Sequence, residues 1–541
     1  MLNFNYNINR FDIAATVGWT GRYENMNNIR VSTNGGLVTE NWFDLNASRY
    51  TPSSTLQRME LLKTGYMGTL SLGWDNYLFL ELTGRQERSS TLKDQSFFYP
   101  SANLSFLFTQ AFHMPSWWNY GKLRLSYGIV GNAPETYTAN IVYEQGSDNG
   151  FTWNTIPSSW GNADIRPEKK YEYEIGLESK FLNNRLGIDV SYYNNRVKDQ
   201  ILSTPQPSTS GVKNVLMNVG EVANHGWDIS ISATPILTRD FRWDLTANYG
   251  VYKNKVVKLA DGVPYLEILN SGGSGIKIQA VEGQPMGDIY AQVPQVNENG
   301  EYLVSDKGLY LNQTELQKVG NINPAGVGGL FNSFSYKNVF LDFSIDFRIG
   351  GDVINEMNQY ATAVGLTPES LKYRDTEHGG LSYYYPGDNN SSGIPVQVDP
   401  STGVGPNGEI IYHDGIILPG VVASTGERNT RIIPAGYYYN TTYNWGTEAE
   451  QLTYRHSVFD NSYVKLRELT IGYQFPEKMI SKLGLGRLSV SVFGRNLFYF
   501  YKALKNYDAE SSVGTSWTNQ ATVGSSTTAT RSFGVSLRAS F

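Results

Sequence analysis

The fold is decided by residues 531–541, which read RSFGVSLRASF. Every second position holds an apolar residue: Phe533, Val535, Leu537, Ala539 and Phe541. The positions between them hold Ser, Gly or Arg. Because successive side chains of a strand point to opposite faces, this segment forms one apolar wall and one polar wall. Its length is that of a tilted strand that crosses a bilayer.

The same alternation recurs in hairpins along the chain. In the clearest hairpin, 171–192, apolar residues alternate with charged ones and the two arms meet at Asn183-Asn184. Short turns join the strands at one end and long polar loops join them at the other, as in outer-membrane barrels. The sequence therefore predicts an all-β fold, a transmembrane antiparallel β-barrel segment of about 15 strands. Residues 1–541 form this one segment, with long extracellular loops expected at about 24–57, 132–166, 260–324, 352–460 and 501–530.

Two local irregularities stand out within this pattern. The alternation is interrupted at Arg467-Glu468, which predicts a β-bulge in that strand. Residues 354–362, inside the longest loop, favour a short helix. Both features are expected to interrupt a regular meander of strands without changing its order.

Composition restricts the class of protein. The formal net charge of −6 offers no basic footprint for nucleic acid, and the absence of cysteine excludes disulfides and thiolate metal sites. No run of about 18 apolar residues is present, so any membrane-spanning segments must be strands. The 37 tyrosines suit the half-apolar, half-wet belts at a membrane interface.

The start of the chain shows the strand pattern as well. Residues 2–8 alternate between apolar residues and Asn, with neither a basic region nor an apolar core, so a strand is expected here and not a signal peptide. The chain is thus expected to open within a strand. An odd number of strands does not suit a single-chain bacterial barrel, so an incomplete barrel is expected.

Short motifs across nearly the whole chain resemble those of one family. They lie at 98–101, 123–128, 131–132, 165–169, 174–177, 218–221, 224–226, 328–338, 413–416, 463–467, 472–473, 494–497 and 531–534. In order and number they resemble the C-terminal part of the SusC/RagA family of TonB-dependent outer-membrane transporters of Bacteroidota. The terminal aromatic residue is similar to the signal that the barrel-assembly machinery reads, so Phe533 and Phe541 are the expected insertion signal.

The resemblance implies a 22-stranded barrel around an N-terminal plug. This chain would then lack the plug domain and roughly seven strands, which a separate or missing N-terminal part would supply. One departure from the family pattern is Asp508-Ala509-Glu510, where the family usually has Pro between the acidic residues. That loop is expected to differ in shape.

The resemblance also implies a function and partners. The chain would belong to a nutrient importer in the outer membrane, for oligosaccharides or peptides, and would not be an enzyme. A SusD-like lipoprotein would cover the solute, and the TonB-ExbB-ExbD proteins would act through the missing plug. Outer-membrane lipid would surround the wall.

Aromatic residues in the long loops are the candidate substrate-binding residues, because their planes can stack on sugars or peptide side chains. They are Trp153, Trp160, Tyr384, Tyr438 and Trp445. Packing within the loops, or a place in the upper aromatic belt, is the alternative interpretation.

Other groups offer no comparable site. The five histidines lie far apart in the sequence, so neither a metal site nor a cofactor is expected. The charged residues on the polar face, such as Glu172, Asp346 and Arg348, are expected to bond the plug or line a wet channel. An adhesin or enzyme barrel, or a soluble glycan-binding β-protein, remains the alternative; an enzyme would need a compact set of acid, base or nucleophile.

Overall fold

The computed structural model describes residues 1–93, 96–148, 151–206, 208–271, 275–387, 392–444, 453–481, 484–512, 514, 516–524 and 529–540. In the first part of the chain the strands are β1 (Leu2–Ile8), β2 (Phe11–Leu37), β3 (Ser48–Trp74), β4 (Leu78–Ser89), β5 (Ser96–Phe106), β6 (Trp118–Asn132), β7 (Glu144–Asp148), β8 (Phe151–Thr155), β9 (Ser159–Trp160), β10 (Glu168–Phe181), β11 (Leu186–Lys198), β12 (Ile201–Pro205), β13 (Asn214–Asn218), β14 (Glu221–Leu237) and β15 (Phe241–Lys258). In the second part they are β16 (Tyr265–Ser271), β17 (Ile276–Val281), β18 (Asp288–Ala291), β19 (Leu303–Val304), β20 (Gln317–Asn321), β21 (Pro324–Tyr336), β22 (Val339–Gly350), β23 (Asp352–Ile354), β24 (Leu381–Tyr384), β25 (Val396–Gln397), β26 (Tyr412–Ile416), β27 (Val421–Val422), β28 (Ile433–Pro434), β29 (Val458–Asp460), β30 (Tyr463–Gln474), β31 (Arg487–Lys502) and β32 (Ser532–Ser540).

The helices are short. They are α1 (Phe108–Ala111), α2 (Glu356–Ala363), α3 (Ala435–Tyr443) and α4 (Glu477–Ile480). Among the described residues, no helix combines the length and apolar character needed to cross a membrane. The short helix predicted near 354–362 is confirmed as α2, whose first turn is capped by the side chain of Asn355.

Fifteen of the strands form a single antiparallel sheet, which confirms the predicted fold class and strand number. Its order follows the chain: β1-β2-β3-β4-β5-β6-β10-β11-β14-β15-β21-β22-β30-β31-β32. Neighbours in this sheet are always consecutive members of the meander. The strands missing from the order, such as β7–β9, lie within the connections and belong to small separate sheets. The sheet is therefore built from hairpins, as the recurring alternation predicts.

Local sequence explains the tight turns. Between β10 and β11, Asn183 and Asn184 have φ angles of 57° and 63°, and Asn tolerates this left-handed region better than most residues. The predicted turn is confirmed, and it sets the register in which Leu177 lies opposite Val190. The predicted bulge at Arg467 is also confirmed, because the pairing of β30 with β31 shifts between Leu466 and Glu468.

The region 24–57 differs from the loop that its sequence predicts. Strand β2 continues to Leu37 and β3 begins at Ser48, so most of this interval is paired strand. The hydroxyls of Ser32 and Ser53 lie 2.7 Å apart across the hairpin. A ribbon with water on both faces needs no apolar alternation, and this is why the polar sequence is misleading here.

The chain divides into two compact units. The first contains residues 1–229 and 254–263, and the second contains residues 230–253 and 264–541. A small core in the first unit joins loop residues to β5: Leu92, Phe97, Ala139 and Ile165. The second unit contains the longest connections of the meander.

We call the described parts of three connections in the second unit the loop body: 264–323 before β21, 351–462 before β30, and 503–531 before β32. The loop body has its own cores. One consists of Ile276, Ile278, Ile289, Ala291, Ile322, Ile354, Tyr454, Val458 and Ala521. Strands β16, β17, β18 and β20 form one small sheet, and β25, β24, β26 and β28 form another. These connections are therefore folded structures.

Candidate functional site

The polar face of the large sheet carries ion pairs between neighbouring strands. Arg124 of β6 donates through Nη2 to Oδ1 of Asp189 at 2.6 Å and through Nη1 to Oδ2 at 3.2 Å. Asp189 lies on β11, and β10 runs between β6 and β11 in the sheet. Glu178 of β10 lies 3.5 Å from the same guanidinium. Two parallel hydrogen bonds of this kind fix the guanidinium in one plane. This part of the wall is held by compensated charges.

Two of the charges predicted to line this face, Glu172 and Asp346, form ion pairs of the same kind. Glu172 accepts hydrogen bonds from Lys170 at 2.5 Å and from the amide of Asn195 at 3.1 Å. Asp346 accepts one from Nε of Arg467 at 2.5 Å. Arg348 instead donates to the backbone oxygens of Gly350 and Ile322, each at 3.2 Å. These contacts give a hydrogen-bonding surface, which suits a wet wall.

Trp153 and Trp160 belong to the first unit, in the connection between β6 and β10. Trp153 lies in the β7–β8 hairpin opposite Gly146, and 46% of it is exposed. Trp160 is half-buried and packs edge-on against Tyr143, with ring centroids 6.0 Å apart. Trp153 therefore presents a free aromatic surface, whereas part of Trp160 is covered.

Tyr384 and Tyr438 belong to the loop body. Tyr384 pairs with Val396 and is half-exposed, while the preceding Tyr383 is only 1% exposed and stacks on Tyr412. Strand β24, which carries Tyr384, and helix α3, which carries Tyr438, both pack against β26. The structure thus brings these two predicted residues into one part of the loop body.

Tyr438 lies within a cluster of tyrosines. Its ring centroid is 5.1 Å from that of Tyr439 and 6.1 Å from that of Tyr443, and it packs on an apolar core around Ile433. Burial raises the pKa of Tyr438 well above its ordinary value, and the neighbouring Tyr443 adds to this effect. Burial likewise raises the pKa of Tyr310, beside the same core, to about 12. The tyrosines of this cluster are uncharged at physiological pH, and their rings pack against one another and against the apolar core.

Trp445 and Phe541 lie outside the described residues. Phe533 lies on β32 opposite Gly494, and 74% of it is exposed. Its exposed ring is consistent with a residue that faces lipid or another protein.

The histidines do not form a common site. His413 shares a hydrogen bond of 2.8 Å with the hydroxyl of buried Ser382, and His378 contacts Asp375 at 2.7 Å. His456 stacks on Tyr443 with centroids 4.3 Å apart, and burial lowers its pKa to about 4. Across the described ranges, no group of three or more His, Asp or Glu side chains is arranged to hold a metal ion.

A charged cluster on β30 was not predicted. Lys465 and Arg467 both bind the carboxylate of Glu510, which lies in the connection between β31 and β32. The sequence offers one relevant observation, the departure from the family pattern at Asp508-Ala509-Glu510. The sequence does not indicate which cationic side chains bind the carboxylate of Glu510.

A meander of fifteen antiparallel strands whose polar face carries ion pairs has the architecture of the wall of an outer-membrane β-barrel. Comparison with known proteins agrees. Residues 2–297 match the family model described as TonB dependent receptor-like, beta-barrel. The chain belongs to this family and is an outer-membrane protein.

Individual relatives confirm the resemblance to SusC. TonB-dependent receptor P3 of Formosa agariphila is 25% identical over 494 residues, which cover 83% of this chain and 42% of that protein. TonB-dependent receptor SusC of Bacteroides thetaiotaomicron is 30% identical over 247 residues, which cover 42% of this chain and 24% of that protein. The chain spans less than half the length of these curated relatives.

A solved structure confirms the fold. The structure of the RagAB peptide transporter matches with a TM-score of 0.66 and 18% identity, over 92% of this chain and 51% of that chain. At this identity the match concerns the fold alone. The large sheet therefore has the fold of the matching part of that chain.

Proposed function

We propose that this chain forms part of the wall of a TonB-dependent importer for oligosaccharides or peptides. The observation that carries the proposal is the family match over residues 2–297, on a sheet of fifteen antiparallel strands. The ion-paired polar face supports it, because a wall of compensated charges hydrogen-bonds solute, water or a plug without a strong field of either sign. In this proposal the chain performs no chemistry on the solute.

The importer needs further components. A plug-containing N-terminal part would fill the barrel and receive energy from the TonB-ExbB-ExbD proteins. A SusD-like lipoprotein would hold the solute over the loop body. The similarity to a structure described as a peptide transporter supports peptides as the solute class, and the resemblance to the SusC/RagA family is the ground for including oligosaccharides.

Loop aromatics are the proposed solute contacts. Among the described residues, Trp153 has the most exposed aromatic surface of the predicted set, so we place the first contact there. Trp160 and Tyr384, both half-buried, are further proposed contacts, as is Tyr438 within its tyrosine cluster. Trp445 completes the proposed set. Phe533 and Phe541 are the proposed insertion signal.

Uptake by intact cells tests the function. Cells with and without this chain would receive fluorescent neutral oligosaccharides and fluorescent peptides, with and without a protonophore. We expect uptake of one class to require both the chain and the proton-motive force. Unchanged uptake of both classes in cells that lack the chain would contradict the proposal.

Isolation of the chain from native outer membranes in detergent tests the partners. Mass spectrometry should identify a second polypeptide with a plug, together with a SusD-like lipoprotein. Isolation of the folded chain without either would contradict the proposed assembly.

A further inference from the structure

The connection between β31 and β32 is fixed to strand β30 by charged side chains. We propose that Glu510 is the positioning residue of a clamp that holds the loop body on the barrel wall as a fixed rim. The clamp consists of Glu510 with Lys465, Arg467, Asp508 and Tyr499. This inference concerns how the loop body is attached and does not depend on which solute the proposed importer carries.

Glu510 accepts hydrogen bonds from two cations of one strand. Its carboxylate lies 2.5 Å from Nζ of Lys465, 2.6 Å from Nη2 of Arg467 and 2.9 Å from Nη1 of Arg467. The same Arg467 reaches Asp346 on β22 at 2.5 Å and Asn496 on β31 at 2.8 Å. Glu510 is thus tied to three strands of the large sheet.

The turn that carries Glu510 is also held in shape. Oδ1 of Asp508 accepts hydrogen bonds from the hydroxyl of Tyr499 at 2.6 Å and from the backbone N–H of Glu510 at 2.9 Å. The amide of Asn461 donates to the carbonyl of Ala509 at 2.9 Å. The carboxylate of Glu510 therefore has a fixed direction before it meets the cations.

The connection that Glu510 anchors reaches much of the loop body. Leu504 packs with Val353 and Val523 in a buried cluster. The amide of Asn506 donates to Asn358 of α2 at 2.9 Å. The indole of Trp517 donates to Asn323 at 3.2 Å. A clamp on Glu510 therefore restrains elements from all three connections.

Electrostatics make release of the clamp unfavourable. The side chain of Lys465 is only 2% exposed, and a buried ammonium without a carboxylate is strongly disfavoured. Its ammonium also lies 4.8 Å from the ring centroid of Tyr499. If the turn lifted away, two cations would lose their shared carboxylate. The arrangement in which Glu510 contacts both Lys465 and Arg467 is therefore the stable one.

The charges around Glu510 also define its response to acid. Burial opposes ionisation, but hydrogen bonds from Arg467 and Lys465 outweigh it and hold the pKa of Glu510 below its ordinary value. Asp346 faces Arg467 from β22, and Asp508 lies beside Tyr499. Lys502 lies near the same tyrosine, 5.3 Å from its ring centroid. The clamp accordingly stays charged in mild acid.

Hydrogen–deuterium exchange of the whole chain in detergent tests the clamp. Glu510→Gln should speed amide exchange in residues 503–512 by about tenfold or more, because it removes the negative charge between two cations. Glu468→Gln is the matched control, since Glu468 pairs with the exposed Arg495 on the same sheet at 2.9 Å. The control should leave these amides unchanged. Equal protection in wild type and Glu510→Gln would overturn the proposal.

Two further measurements separate positioning from general stability. Tyr499→Phe removes only the hydroxyl that orients Asp508, and should speed exchange in the same segment by roughly threefold. This variant decides the matter if Glu510→Gln does not fold. After correction for intrinsic rates, wild-type protection should fall when acid protonates Glu510, while folded Glu510→Gln should show no such step. A normal Tyr499→Phe segment, or an identical acid step in Glu510→Gln, would overturn the clamp without bearing on solute uptake.

Discussion

Gly275 lies directly against the aromatic ring of Tyr454, so closely that a Cβ atom at position 275 would overlap Cδ2 and Cε2. Tyr454 belongs to the main apolar core of the loop body and is 7% exposed. The ring therefore has little room to move aside. Packing in this core requires glycine at position 275.

Gly275→Ala should lower the free energy of unfolding by about 2 kcal/mol, because the added methyl group overpacks the core. Thermal unfolding followed by circular dichroism would measure the change. Gly436→Ala is the control: position 436 lies in α3 with no atom within 4 Å of an added Cβ. Alanine there should be neutral or slightly stabilising. Equal stability of Gly275→Ala and wild type would contradict the described packing.

Loss of Glu510 should destabilise the protein in a pH-dependent manner. Glu510→Gln should cost about 3 kcal/mol near neutral pH, because Lys465 then remains buried without its carboxylate. The folded pKa of Glu510 is lowered, so its contribution is present above the unfolded pKa and is lost as pH falls through the folded pKa. The difference in melting temperature between wild type and variant should therefore shrink in acid. A difference that is constant with pH would contradict this.

Protonation of His456 should destabilise the fold over a pH range different from that of Glu510. Its folded pKa of about 4 lies below its ordinary value of 6.5, so the unfolded chain binds the proton more readily. Stability should therefore fall as pH decreases from about 6.5 to about 4 and lose nothing further from this group below that range. His456→Phe keeps a ring on Tyr443 and should flatten this part of the stability profile. An unchanged profile in the variant would contradict burial of the imidazole.

Trp153 and Tyr438 should respond differently to substitution. Trp153→Ala should lower solute uptake by about tenfold while leaving the melting temperature within about 1 °C, since the ring is exposed on a hairpin. Tyr438→Ala should lower the melting temperature, because the ring packs on the core around Ile433. Uptake and thermal unfolding of both variants would test this. Normal uptake by folded Trp153→Ala would exclude that ring as a solute contact.

Alternation of side chains was sufficient to predict the sheet. Each spanning strand has an apolar and a polar face. The order of the strands in the sheet and the turns between them, such as Asn183-Asn184, therefore follow from local sequence. The hairpin at 24–57 was missed because water covers both its faces, and nothing then selects alternating apolar residues. Where lipid or a core is absent, composition does not distinguish a strand from a loop.

The clamp could not be predicted for a different reason. Lys465 and Glu510 are 45 residues apart, and their contact depends on the path of a connection that has no periodic pattern. The exposure of the candidate aromatic residues could not be predicted either, even for residues adjacent in the sequence. Tyr383 and Tyr384 are neighbours of identical chemistry, yet one is buried and the other half-exposed. Only the fold of the loop body decides which ring remains accessible.

The long hairpin of β2 and β3 has a consequence for how the chain meets its surroundings. Each strand contains 27 residues and so extends roughly 90 Å at the usual rise per residue. The hydrocarbon layer is about 30 Å thick, so even a ribbon tilted by 45° leaves much of its length in water. We therefore expect lipid to restrict the residues near the Asn9 turn, and the far end, around Asn34 and Tyr50, to tolerate changes of its outer surface.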